Sequence, residues 1–323
     1  MPRRIQFLNL FAKRAVIIAA LSALFLQMGG AQNNDSKTIP GAKSSGTTGE
    51  ATSLAVSDVS KTLKSAAEAM GLARWSGVGG QRLPEVDVIN TMEIWGSGTT
   101  YGPAPSGKPG EPGPLFKTEY HAALGYNPPA MRVEMTRTAS GASAPNAAAS
   151  QHTIEVVREK YAWDESEIGA GLIPGKGIAT PVMASVNSRF LQLWILPYGV
   201  IKAAMAAGEK TKVSTEKGAT VISFPLSGQL AGVMVKATLD AQNEVATVET
   251  RSESPALSDL NTETEYSDYK DHGEIATDVM SPGHIVRKQG GHPVLDIRIK
   301  TFDANNPYLV FPVPENIKKT AAE

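Results

Sequence analysis

The sequence predicts an α+β protein built on a strongly curved antiparallel β-sheet, a half-open barrel of roughly eight to eleven strands with a few helices packed in its concave face. Three observations carry this expectation. Apolar and polar residues alternate along much of the C-terminal half, short turn sequences separate the alternating runs, and two apolar stretches keep helical spacing instead.

The chain opens with Arg3, Arg4, Lys13 and Arg14 and no acid, continues with an apolar stretch from Ala15 to Met28, and closes this segment with Gly29-Gly30-Ala31. A basic start, an apolar middle and a small-residue end, in that order, are the parts of a secretory signal peptide. Residues 1–31 are therefore expected to be removed. An apolar helix of this length rises about 21 Å, short of the roughly 30 Å hydrocarbon core, so an uncleaved membrane anchor is the alternative and not the first reading. With no cysteine there is no site for lipid attachment behind the signal. The mature form is expected to be soluble, not membrane-spanning, and periplasmic or secreted.

Loss of the four basic residues leaves 27 Lys and Arg against 32 Asp and Glu. A mildly acidic surface with no basic stripe repels phosphate backbones, which argues against nucleic acid as a partner. An exported chain without cysteine is held by its core and not by disulfides.

Residues 32–54 hold almost nothing apolar and read as a disordered leader. A helix follows, because Val56, Val59, Leu63, Ala66, Ala67 and Met70 recur at spacings of three and four, with Ser57 or Asp58 to cap it and Gly71 to stop it. Strands are expected over Asn90–Tyr101, Leu115–Leu124, Met131–Thr138 and Thr153–Tyr161, with a Pro/Gly-rich loop from Gly102 to Pro114. Phe190, Leu193, Trp194, Ile201, Ala204 and Met205 keep helical spacing across Pro197, which removes a hydrogen bond and splits the stretch into two short helices. The most regular strands come last: Val233–Asp240, Val245–Thr250, Thr262–Tyr269, Glu274–Met280, Ile285–Gln289 and Val294–Lys300. One β-rich domain is thus expected over 55–316, with 317–323 as a tail.

The histidines at 121, 152, 272, 284 and 292 form no His-x-His pair and no His-Glu-x-x-His, so no metal site is expected. Glu263, Glu265, Asp268 and Asp271 lack the spacing of a calcium loop and read as a solvated strand face. Ser214-x-x-Lys217 and Ser267-x-x-Lys270 have no Ser-Asp-Asn or Lys-Thr-Gly companions. Tyr198 and Lys202 have the spacing of short-chain reductases, but no Gly-x-Gly-x-x-Gly loop is present to hold a dinucleotide. No cofactor and no catalytic residue is expected. Of the tryptophans at 75, 95, 163 and 194, Trp194 on the apolar insertion is the one read as facing a ligand.

Several stretches resemble the β-rich, non-catalytic region that precedes the zinc domain in secreted bacterial metallo-β-lactamase-fold hydrolases. They are Ser76–Gly80, Met131–Thr138, Leu191–Gly199, Glu263–Asp271 and His284–Asp296, and the resemblance runs from about Ala67 to Pro314. The His-x-His-x-Asp-His motif of those hydrolases is absent, so the resemblance implies an accessory region and not the enzyme. The layout is also similar to the half-open barrels of Lol-type lipoprotein carriers, at the level of architecture. Together these readings imply a non-catalytic binding protein for a lipid or other hydrophobic small molecule, with Phe190, Leu193, Trp194, Ile201 and Met205 as ligand-binding residues. The alternative is an interaction module that docks onto a separately encoded hydrolase. The first test concerns export: N-terminal sequencing of the protein from its native host is expected to begin at Gln32, and a start at Met1 in a membrane fraction contradicts cleavage.

Overall fold

The computed structural model describes residues 56–73, 89–102, 113–140, 150–252, 261–271 and 279–321, all of them in the unit Gly49–Glu323. The expected signal peptide and leader, Trp75, residues 76–80 and His272 lie outside the described residues. The order is α1 (Val56–Ala69), β1 (Thr91–Tyr101), β2 (Leu115–Tyr126), β3 (Pro129–Ala139), β4 (Gln151–Arg158), β5 (Tyr161–Glu165) and β6 (Ala179–Pro181). After α2 (Val186–Trp194) and α3 (Pro197–Ala207) come β7 (Lys212–Glu216), β8 (Ala219–Pro225), β9 (Val233–Leu239), β10 (Val245–Ser252) and β11 (Thr262–Ser267). The chain ends in β12 (Lys270–Asp271), β13 (Met280–Ser281), β14 (His284–Gln289), β15 (His292–Ala304) and α4 (Glu315–Thr320).

Thirteen strands form one open sheet in the order β6-β5-β4-β3-β2-β1-β15-β14-β11-β10-β9-β8-β7, and β12 pairs with β13 apart from it. Among the described residues each strand pairing is antiparallel, as short turns require. The chain starts at the centre of the sheet, meanders out to β6, and passes through α2 and α3 to the opposite edge at β7. From there it meanders back until β15 closes against β1.

The sheet is larger than the eight to eleven strands expected, for two local reasons. The run from Thr153 to Tyr161 is not one strand, because the backbone reverses at Glu159 (φ 52°) and Tyr161 begins β5. The hairpin β7–β8 turns at Lys217-Gly218, both at positive φ (51° and 86°), which is the mirror-image turn that suits strand twist but lacks the usual Asn-Gly signature. The expected loop Gly102–Pro114 falls mostly outside the described residues, although Gly102 N donates to Pro114 O at 2.9 Å across its neck.

Helix α1 ends as its sequence predicts. Gly71 sits at φ 73°, its N–H donates to Glu68 O (3.1 Å), and Leu72 N–H donates to Ala67 O (2.8 Å), so the last carbonyls find partners and the chain leaves the helix axis. Leu63, Ala66, Ala67 and Met70 enter the main core, as do alternate residues of the strands, such as Met92 and Ile94 of β1 and Val233, Val235, Ala237 and Leu239 of β9. The residues between them on β9, Met234, Lys236 and Thr238, stay outside that core. The other face of the sheet carries a smaller cluster of Ile154, Val156, Trp163 and Ala179 under Ile317 of α4. Residues 317–320, expected as tail, thus belong to a helix whose Ile317 is buried.

The two central helices break at Ile195–Leu196. Leu196 is extended (ψ 147°) and Pro197 opens α3, where a missing N–H costs nothing. The two axes meet at 95°, and among the described residues no single helix is long and apolar enough to cross a membrane. Helix α2 is fastened to the sheet by Arg189. Its Nη1 donates to the carbonyls of Val156 (3.1 Å) and Trp163 (2.8 Å), which lie directly opposite each other in the β4–β5 register. Its Nη2 donates to Asp164 Oδ1 (2.5 Å), and Glu155 Oε2 lies 3.6 Å from Nε. A buried guanidinium with every partner in place is hard to replace by a smaller group, because the carbonyls and carboxylates are left without a donor. Arg189→Ala is expected to lower the unfolding free energy by about 3–5 kcal/mol in chemical denaturation. A loss below about 1 kcal/mol, the size of an exposed pair, rules out this fastening.

Candidate binding cleft

A cleft of about 1250 Å³ is lined from three directions. Tyr126, Asn127 and Pro129 come from the β2–β3 turn, and Glu159 from the β4–β5 turn. Residues 225–231 come from the β8–β9 connection. The helices supply Phe190 and Trp194 from α2, and Lys202, Ala203, Ala206, Ala207 and Lys210 from α3 and the turn after it. Spacing explains the helical contribution: Phe190 and Trp194 are four apart on α2, 202, 203, 206 and 207 fall on one face of α3, and Lys210 follows in the turn after Gly208. The volume exceeds the roughly 300–1,000 Å³ of most small-ligand sites.

Aromatic groups form one side. The Tyr126 and Trp194 rings lie 5.8 Å apart, tilted by 50°, and Lys202 Nζ sits 4.9 Å from the Tyr126 ring centre. The β8–β9 connection is tied down at three points. Leu226 N–H donates to Val233 O at 2.9 Å, Leu230 is buried in the main core, and Gln229 Nε2 donates to Glu159 O at 3.0 Å. That last bond joins the β8–β9 connection to the β4–β5 turn. Gly228 (φ 62°) and Gly232 (φ 95°) on either side of the tie hold conformations that strain any residue with a side chain.

The residues expected to bind ligand separate into groups. Phe190, 4% exposed, and the half-buried Trp194 line the cleft. Leu193 and Ile201 are both 0% exposed inside the main core, and Met205 is 43% exposed beyond the cleft lining. Helical spacing brings all five onto the insertion but does not say which stripe faces the opening. Tyr126, Leu226, Leu230, Lys202 and Lys210 were not singled out as ligand contacts. Their signals in the sequence are slight: a Tyr-Asn-Pro-Pro turn, and a Ser-Gly-Gln-Leu-Ala-Gly loop between two strands.

Tyr198 and Lys202 part company. The Tyr198 hydroxyl is buried and donates to Met280 O at 2.5 Å, while Lys202 turns to the cleft. Tyr266 donates likewise to Ile195 O at the helix break (2.7 Å) and Tyr269 to Val245 O (2.7 Å). Burial pushes all three phenols above their ordinary value, so they remain protonated donors. Tyr198 and Tyr266 tie the bent helices to strands β13 and β11, and Tyr269 ties the β11–β12 connection to β10.

Three of the described histidines lie beside carboxylates. His121 Nε2 lies 3.2 Å from Glu93 Oε1 and its Nδ1 3.5 Å from Glu134 Oε2, while His152 Nε2 lies 2.8 Å from Glu134 Oε1. Trp95 stacks on His121 at 4.8 Å, and His284 pairs with Asp296 at 2.7 Å. Among the described residues no group of three or more His, Asp or Glu could hold a metal ion. A second groove of about 1030 Å³, beside Met234 and Gly290, is lined by charges that pair with each other or with neighbours: Lys288 with Glu263 and Glu265, Arg251 with Glu249. Lys288 stays charged to a higher pH than usual because of Glu265.

No protein-family model, curated protein or solved structure matches this chain.

The partition between core and cleft has a measurable consequence. Leu193→Ala leaves a void in tight packing and is expected to cost about 2–5 kcal/mol. Trp194→Ala removes a half-buried ring beside an opening that water can fill, and its cost is expected to be smaller. Thermal unfolding of both variants checks this, and equal losses contradict the placement of Trp194 on a cleft wall.

Proposed function

We propose that this protein is a non-catalytic binding protein for a lipid or other hydrophobic small molecule, exported by its N-terminal signal, and that the ligand occupies the cleft beside α2 and α3. The observation that carries the reading is an opening of about 1250 Å³ whose sides include Phe190, Trp194, Tyr126, Leu226 and a run of alanines. Apolar walls with a few polar groups at the margin are the usual make-up of a small-molecule site.

The proposal includes a half-barrel, supported by lengths. A flat sheet of thirteen strands at about 4.8 Å spacing places its outermost strands about 58 Å apart. The helices joining those strands, Met183–Trp194 and Pro197–Lys210 at 95°, span only about 26 Å end to end. Gln229 also hydrogen-bonds Glu159 although β9 and β4 are eight places apart in the sheet order, about 38 Å if flat. Register shifts at Trp95/Gly96, Val245/Thr247 and Arg287/Lys288 supply bends of the kind that curve a sheet. At Gly96 a Cβ would lie 2.6 Å from Arg298 O, so the strands approach there as only glycine permits.

A second reading, a module that docks onto a separately encoded metallo-β-lactamase-fold hydrolase, is favoured by one feature. The loop 166–178 is closed at its neck by Ser166 N–H to Ile178 O (3.1 Å) and Ile178 N–H to Ser166 Oγ (2.8 Å), and Glu165 accepts from Gly169 N–H (3.0 Å). It nonetheless shows Ile168, Ile173 and Ile178 to solvent. Exposed apolar residues on a fixed loop suit a protein contact.

Native mass spectrometry and thermal unfolding separate the readings. Wild-type protein is expected to carry a co-purifying hydrophobic molecule. Trp194→Asp is expected to remain folded and lose it, because the new charge stands in the cleft. Wild-type protein that carries nothing and takes up no fluorescent fatty acid overturns the carrier reading. A Trp194→Asp protein that cannot fold contradicts the cleft placement.

A further inference from the structure

The two outer edges of the large sheet are built differently. Strand β6 is guarded: it has three residues, Pro181 offers no N–H, and the Ala179 carbonyl already accepts from Asn316 Nδ2 of α4 at 2.8 Å. Strand β7 has five residues, no proline, and no register shift against β8. Helix α1 meets it from the core side, where Val213 shares the main core with Leu63 and Met70. The register decides which backbone groups face outward. Glu216 and Ala219 flank the two-residue turn Lys217-Gly218 and so form a hydrogen-bonded pair, which turns the backbone groups of Ser214 and Lys212 toward β8 as well. The N–H and C=O of Val213 and Thr215 therefore point away from the sheet, and among the described residues nothing takes them.

The side chains of β7 suit one particular partner. A second β7 laid antiparallel about Ser214 sets Val213 against Thr215 of the second copy, so that each such pair exchanges both hydrogen bonds. The same register sets Lys212 opposite Glu216 at either end. Lys212 is exposed and makes no ion pair among the described residues, while Glu216 gives one oxygen, Oε2, to Lys236 at 2.7 Å and keeps Oε1 for a second donor. Charges that would repel a strand laid parallel in register thus attract an antiparallel copy.

We propose that β7 is a pairing edge for a second copy of this chain: two molecules join β7 to β7, antiparallel about Ser214, and the sheet continues from one into the other.

Sedimentation of the full mature protein over a range of concentrations, with hydrogen exchange at the Val213 and Thr215 amides, makes the test. A dimer is expected to grow with concentration, and both amides are expected to exchange more slowly in it than in the monomer. Thr215→Pro removes an outward N–H without touching the bonds to β8 and is expected to leave a monomer where the wild type is dimeric. Lys212→Glu sets like charges opposite each other at both ends and is expected to weaken the dimer roughly tenfold. Lys212→Glu/Glu216→Lys is expected to restore it, because the exchanged charges still meet. Lys212→Glu, at an exposed position, decides the point if the proline variant fails to fold. A wild-type chain that stays monomeric at the highest concentration reached overturns the proposal. So does protection of both amides in the monomer, which means that another part of the chain covers β7, and so does a dimer that Lys212→Glu leaves unchanged.

Discussion

Thirty residues, 182–211, must carry the chain from one outermost strand of a thirteen-strand sheet to the other. Most of the architecture answers to that crossover. Its helices turn their apolar residues Phe190, Leu193, Ile195, Val200 and Ile201 into the main core. Helix α2 reaches β3, β4 and β5 and also the turn between β8 and β9, while α3 reaches β8 and α1. One connector therefore serves as core filling for both arms of the sheet. A break at Leu196-Pro197 makes this possible, since a straight helix of the same length could face only one of them.

The cleft is the remainder of that arrangement. Buried partners determine where the helices lie: the Arg189 guanidinium on paired strand carbonyls at one side, and the Tyr266 and Tyr198 hydroxyls at the other. What borders the opening along the crossover is Trp194 and the alanines, of which Trp194, Ala203 and Ala207 pack against the rim of the core. The enclosing loops contribute few apolar anchors beyond Leu226 and Leu230. Most residues that line the opening are not those that fasten the helices, so the opening can change at little expense to stability.

The sequence made the interior more legible than the opening. Alternation along β9 and β15, the Gly290-Gly291 turn, the Gly71 stop and the Pro197 break are local signals, and each reappears where spacing or backbone chemistry puts it. The hairpin β7–β8 escaped because a Lys-Gly turn adopts a conformation usually announced by asparagine. Phe190 and Trp194 were legible as a pair four apart. Leu193 carries the same hydrophobicity and the same helix, and only the tertiary arrangement separates core from wall. Tyr126, Glu159 and Gln229 meet across long intervals of sequence, and no local pattern encodes such a meeting.

The central seam affects how the molecule is made. Strands β1 to β6 are neighbours in sequence order, and so are β7 to β11, so each arm assembles from short hairpins. The joint between arms pairs Met92 with Ala304, almost the whole domain apart. Loop closure over such an interval is slow, and until it happens β1 presents an unpaired edge in the middle of the structure. The chain is thus built to finish late. The pairing that locks the domain waits for its C-terminal strand.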